Sequence, residues 1–200
     1  MRGIALLKKL LIALACAAAL AARADEIEVR EARLAPAEEG LVLAADFAFD
    51  FNPRLAEVVT NGVPLYFVVE FDLSRQRWWW FDEKVVSKRM QLRLSYHALS
   101  RQYRLSTGLL QQNYASLEEA LNVLRRVRNW LVVDRSLALA DAGYEGWVRM
   151  RLDTTLLPKP FQLSALTSRD LNLESAWKRF SFRPPAAMLE SREPKEADAK

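Results

Sequence analysis

Four consecutive aromatic residues, Trp78-Trp79-Trp80-Phe81, are the most unusual local feature of the sequence. In an extended segment successive side chains point to opposite faces, so Trp78 and Trp80 share one face and Trp79 and Phe81 the other. One pair suits a core. If the second face is open, two tryptophans offer a stacking platform for sugar rings or an anchor for a protein partner. His97 is the only histidine, so general-base chemistry by a histidine would fall on it. Asp72, Asp82 and Glu83 lie close to the tryptophans in sequence and are the material of paired-carboxylate hydrolysis, although acids at a strand end are ordinarily just solvated. The chain has no G-x-S-x-G nucleophile elbow, no P-loop, no dinucleotide glycine fingerprint and no His-rich metal motif. No residue is therefore assigned a catalytic role, and neither a cofactor nor a metal is expected.

Charge is unevenly placed. Asp25 to Glu57 holds nine acids and three bases, whereas Glu83 to Arg104 holds one acid against six bases, Lys84, Lys88, Arg89, Arg93, Arg101 and Arg104. A strand face this basic fits an acidic partner or lipid headgroups; the plainer reading is a solvated sheet face, partly neutralised by the acidic N-terminal segment. The residues expected to bind are Trp78, Trp80, Arg89, Arg93, His97, Arg101 and Arg104.

These side chains need strands to hold them. Leu41, Leu43, Ala45, Phe47 and Phe49 alternate with more polar positions, and Leu65, Phe67, Val69, Phe71 and Leu73 do so over a longer run. The opposite face of that second run begins apolar with Tyr66 and Val68 and turns acidic at Glu70 and Asp72, as a central strand would. Trp78 to Ser87, Met90 to His97, Arg101 to Leu105 and Trp147 to Asp153 read as further strands, with weaker ones at Ile27 to Leu34 and Ala176 to Phe182. On this pattern His97 shares a face with Arg93 and Ser95. Two helices are expected. Asn52 caps a short one that starts on Pro53 and stops at Asn61-Gly62; Ser116 and Glu119 open a longer one, with Leu117, Leu121, Leu124, Val127 and Leu131 on one face and Arg125, Arg126 and Arg128 on the other. The fold expected is mainly β: an antiparallel β-sandwich of about 7–8 strands with two helices. The alternative is a single antiparallel sheet covered by the long helix.

The N-terminus has the form of a secretory signal. Arg2, Lys8 and Lys9 precede an apolar run from Leu10 to Leu20, and Ala22-Arg23-Ala24 is a small-x-small site, which places cleavage after Ala24. A retained anchor is the alternative, but Leu10 to Ala22 spans about thirteen residues where a membrane helix needs roughly 20. Cys16 loosely resembles an acylated lipoprotein cysteine, so membrane attachment is expected only if the signal is retained or Cys16 is acylated. The full chain has 29 basic and 25 acidic residues, and the signal holds four of the basic ones and no acid. The remainder is balanced at 25 against 25, so the sequence pI of 9.3 does not argue for nucleic acid as a partner. Cys16 is also the only cysteine, which leaves no disulfide and no thiol chemistry after cleavage. The organisation expected is a signal at 1–24, one β-rich domain at 25–183 and a disordered Pro-, Glu- and Lys-rich tail at 184–200.

Several stretches together resemble a bacterial family known as domain of unknown function 4390. They are Phe49-Asp50-Phe51-Asn52-Pro53, Gly62-Val63-Pro64-Leu65, Arg77-Trp78-Trp79-Trp80, Leu94-Ser95-Tyr96-His97-Ala98-Leu99, Arg101-Gln102-Tyr103-Arg104-Leu105, Leu157-Pro158-Lys159-Pro160-Phe161, Ala165 to Asp170 and Trp177-Lys178-Arg179-Phe180. The resemblance covers most of the chain beyond the signal. It carries no catalytic residue over; it implies a signal-bearing envelope protein, and family genes that neighbour one for a membrane sensor kinase would suit an accessory binding domain. The function expected is a periplasmic, non-enzymatic domain that binds an envelope protein; the alternative is an envelope hydrolase acting on a sugar or peptide polymer.

Overall fold

The computed structural model describes residues 27–75, 83–137, 139–167, 171 and 173–185. In chain order the elements are β1 (Glu28–Ala37), β2 (Gly40–Ala48), helix α1 (Pro53–Thr60), β3 (Leu65–Arg75), β4 (Glu83–His97), β5 (Gln102–Thr107), β6 (Leu110–Tyr114), helix α2 (Leu117–Leu124), β7 (Arg126–Asp134), β8 (Tyr144–Leu152), a 3-10 turn (Thr154–Leu156), helix α3 (Lys159–Thr167) and β9 (Lys178–Phe182). The strands form two antiparallel sheets, β1-β2-β7 and β6-β5-β4-β3-β8-β9. The mainly-β sandwich read from the alternation is the fold, with nine strands among the described residues and three short helices. It is not a barrel, and it is not a single sheet under a long helix.

Alternation builds the core directly. On β2 the buried positions are Leu41, Leu43, Ala45 and Phe47; on β3 they include Leu65, Phe67, Val69, Phe71 and Leu73; on β8 they include Val148, Met150 and Leu152. These faces meet between the sheets in one apolar cluster. Phe67 and Phe71, with no exposed surface, each contribute about 2 kcal/mol by burial. The helices add Leu55, Val58 and Val59 from α1 and Ala120, Leu121 and Leu124 from α2 to the same cluster, so they pack from the core side. Their caps are those the residue types call for. Asn52 Oδ1 accepts from the Leu55 amide at 2.8 Å, and Ser116 Oγ accepts from the Glu119 amide at 3.2 Å while Glu119 Oε2 accepts from the Ala115 amide at 3.1 Å.

Three elements differ from expectation. The long helix stops at Leu124, and Arg126–Asp134 is β7, paired with β2. Asn129 takes a left-handed φ of 53°, and the β2–β7 register shifts twice, so the apolar residues of β7 fall out of strict period two and mimic a helical stripe. Glu83 to His97 is one strand rather than the ends of two, with a register shift opposite Leu73/Ser74. A third helix, α3, follows β8 where only two helices were expected, and Pro160 sits in its first turn, where a missing N–H costs nothing.

Candidate functional site

Because β3 lies between β4 and β8, the face of the large sheet turned away from the core is built from side chains that alternate with the core residues. From β3 it receives Tyr66, Val68, Glu70 and Asp72. Register then places Arg93 of β4 opposite Tyr66, Arg89 opposite Glu70 and Ser87 opposite Asp72, while Arg151, Arg149 and Trp147 of β8 stand opposite Val68, Glu70 and Asp72. Beyond β4, β5 brings Arg104 opposite Ser95 and Ser106 opposite Arg93. The two packed helices α1 and α2 lie on the other side, so this face is a sheet of arginines and aromatics uncovered by either.

Its centre is neutralised. Glu70 is buried, and three arginines converge on its carboxylate: Arg149 Nε at 2.5 Å, Arg89 Nε at 3.0 Å and Arg151 Nη2 at 3.7 Å. Arg149 also reaches Glu174 Oε1 at 2.6 Å and lies over the Trp177 ring at 4.7 Å from its centroid. Asp72 is held by Lys84 at 2.8 Å and Glu83 by Arg75 at 2.5 Å. Burying a carboxylate is costly unless charged hydrogen-bond donors surround it, and three guanidinium groups do so here.

The β4–β5 side is not neutralised. Arg93 rests over the Tyr66 ring at 5.9 Å, and Arg104 Nε donates to Asn113 Oδ1 at 3.2 Å. Arg101 occupies the β4–β5 turn with φ of 51°. Among the described residues none of these three arginines has a carboxylate partner. The His97 ring sits at the end of β4, where Nδ1 meets Ser100 Oγ at 3.0 Å and the Ser100 amide at 3.3 Å, closing the turn. Among the described residues no group of acids, histidines and cysteines could hold a metal, and no helix is long and apolar enough to cross a membrane.

The expected binding residues thus divide. Arg89, Arg93, His97 and Arg104 share the open face, with Arg101 at its edge, but Arg89 is committed to Glu70. Trp78, Trp80 and Ala24 lie outside the described residues, as do Asp82 and the tail from Ala186. The cluster of Glu70 with Arg149 and Arg151, and the aromatic rings of Tyr66, Trp147 and Trp177, were not foreseen. Their signal was present: an acid amid the apolar run of β3, and an Arg-x-Arg alternation on β8 whose other positions are all core.

Fold and face together define a two-sheet, mainly-β domain with a cationic, aromatic outer surface. The match of its sequence to a family model extends over residues 24–181, and the chain belongs to that family, described as domain of unknown function (DUF4390). No curated protein and no solved structure matches it.

Proposed function

We propose that this chain is an exported envelope domain with no chemistry of its own, which binds an acidic protein partner on the open face of its six-stranded sheet. The observation that carries the reading is the group Arg93, Arg101 and Arg104, whose charges have no carboxylate partner among the described residues and lie on an exposed face. Uncompensated arginines on a rigid sheet keep five directed donors each in place for carboxylates, and their separation along two paired strands sets the register of the partner. Export is supported by the basic, apolar and small-residue order of residues 1–24, at the last of which the family match begins. A sensor protein of the same envelope is one partner of the required kind.

The test is crosslinking in the intact envelope with the double variant Arg93→Glu and Arg104→Glu. Neither residue contributes to the core, so the variant is expected to fold, which circular dichroism checks. The partners crosslinked by the parent are expected to be lost from the variant and retained with Arg93→Lys and Arg104→Lys. Recovery of the same partners by the charge-reversed protein would refute the reading.

A further inference from the structure

The margin of the large sheet farthest from β5 borders a cavity. β9 is the last strand in the order β6-β5-β4-β3-β8-β9, and β1 is an outer strand of the smaller sheet. Between them lies a space of about 630 Å3, lined by Ile27 to Arg30 at the start of β1, Ala48 to Asp50 at the end of β2 and Ala176 to Lys178 at the start of β9. That is the size of an ordinary small-molecule site, roughly 300–1,000 Å3. Its floor is apolar, since Ile27, Val29 and Phe49 are buried. One wall is Trp177, still 38% exposed, with the Arg149 guanidinium 4.7 Å from its ring centroid. Arg149 is itself tied to Glu70 and Glu174, so the indole is backed by a fixed cation.

The rim carries two acids, Glu28 and Asp50, and two bases, Arg30 and Lys178. Arg30 and Glu28 meet at 4.0 Å and are both well exposed, where an ion pair is worth little. The side chains of Asp50 and Lys178 are exposed and have no ion-pair or hydrogen-bond partner among the described residues. A rim balanced in charge selects neither an anion nor a cation. It does set acceptors beside donors, next to a flat aromatic surface. The ligand that matches has an apolar face for the indole and uncharged groups that both donate and accept. A pyranose ring has C–H groups on its face and hydroxyls around its edge. A second cavity, of about 860 Å3, shares Arg30, Ala48, Phe49 and Asp50 with the first and continues to Asn122 and Arg126. The site is therefore open lengthwise, which suits linked rings better than one free sugar.

We propose that the cavity between β1 and β9 binds a neutral glycan. Trp177 stacks on one ring, Asp50 accepts from its hydroxyls, Lys178 donates to its oxygens, and the next rings run toward Asn122. This site lies at the opposite end of the sheet from Arg93 and Arg104 and does not depend on the acidic-partner reading.

The probe is tri-N-acetylchitotriose, titrated into the 15N-labelled full chain, with the Trp177 indole signal identified by its loss in Trp177→Phe. The indole and the amides of 27–30, 48–50 and 176–178 are expected to shift together and saturate. Asp50→Ala removes an exposed side chain without a partner, so the fold is kept, and binding is expected to weaken roughly tenfold with loss of the charged acceptor. Trp177→Leu is expected to weaken it at least as much, and Trp177→Phe, which keeps an aromatic face, to retain most of it. The double variant Arg93→Glu and Arg104→Glu is expected to bind the glycan as the parent does, so failure of this site and failure of the acidic-partner reading are told apart. The proposal is overturned if neither tri-N-acetylchitotriose nor maltotriose gives a saturable shift, or if Asp50→Ala and Trp177→Leu bind as tightly as the parent. Tighter occupation of the same amides by trialanine or triglutamate would make the cavity a peptide site and overturn it as well.

Discussion

Glu70 has the highest electrostatic stake of any single residue. Its carboxylate is almost fully enclosed, whereas its arginine partners range from about a quarter exposed at Arg149 and Arg151 to largely exposed at Arg89. Replacing Glu70 with Gln leaves three guanidinium groups crowded without their anion, and is expected to lower stability by roughly 2 kcal/mol in urea unfolding. Arg89→Gln removes only the exposed partner and should cost less than about 1 kcal/mol. Asp134 acts through pH. The hydroxyl and backbone amide of Ser136, at 2.8 Å for the amide, hold its carboxyl below the ordinary 3.8, with Lys88 adding attraction. A depressed carboxyl stabilises the fold above 3.8, and that contribution disappears as pH falls through the folded value. Asp134→Asn is therefore expected to flatten the acid limb of stability, read as the urea midpoint between about pH 5 and 2.

At the scale of elements, the caps and turns carry the sharpest expectations. Ser116→Ala deprives the Glu119 amide of its acceptor and should lower stability by about 1 kcal/mol, measured by chemical denaturation. Gly40 opens β2 with φ of 145°, and a Cβ there would stand 2.0 Å from the carbonyl oxygen of Val133. Since that atom is backbone on the paired strand, Gly40→Ala is expected to destabilise by at least about 3 kcal/mol, seen as a large drop in Tm. These elements were unequally legible in the sequence. β3 was readable as central because its second face is half apolar, and both caps announced themselves through Asn52-Pro53 and Ser116 with Glu119. β6 was not, because Leu110-Gln111-Gln112-Asn113-Tyr114 is an exposed edge with no apolar alternation. β7 was misread because a left-handed Asn129 breaks its period. The arginine face was visible as a run of bases on alternating positions, but which of them are spent on Glu70 depends on β8, far away in sequence, and only the register reveals it.

The whole molecule presents one polar face of opposite halves: compensated charge toward β8 and uncompensated charge toward β5. Binding to an acidic partner at the second half should weaken steeply as salt rises, because exposed charges are screened beyond roughly 10 Å at 0.1 M. Measuring crosslinking yield in low and high salt checks this, and an unchanged yield would count against the cationic face. The order in which strands join the two sheets has another consequence. β2 finds its second partner, β7, only after β3, β4, β5, β6 and α2 have been delivered, and β3 must wait for β8. Such remote pairings make closure of the sandwich a late event and folding slow, since loop entropy is lost before the contacts repay it. A chain built this way stays unfolded and threadable for longer, which is what passage through a narrow translocation pore would demand of the exported domain proposed above.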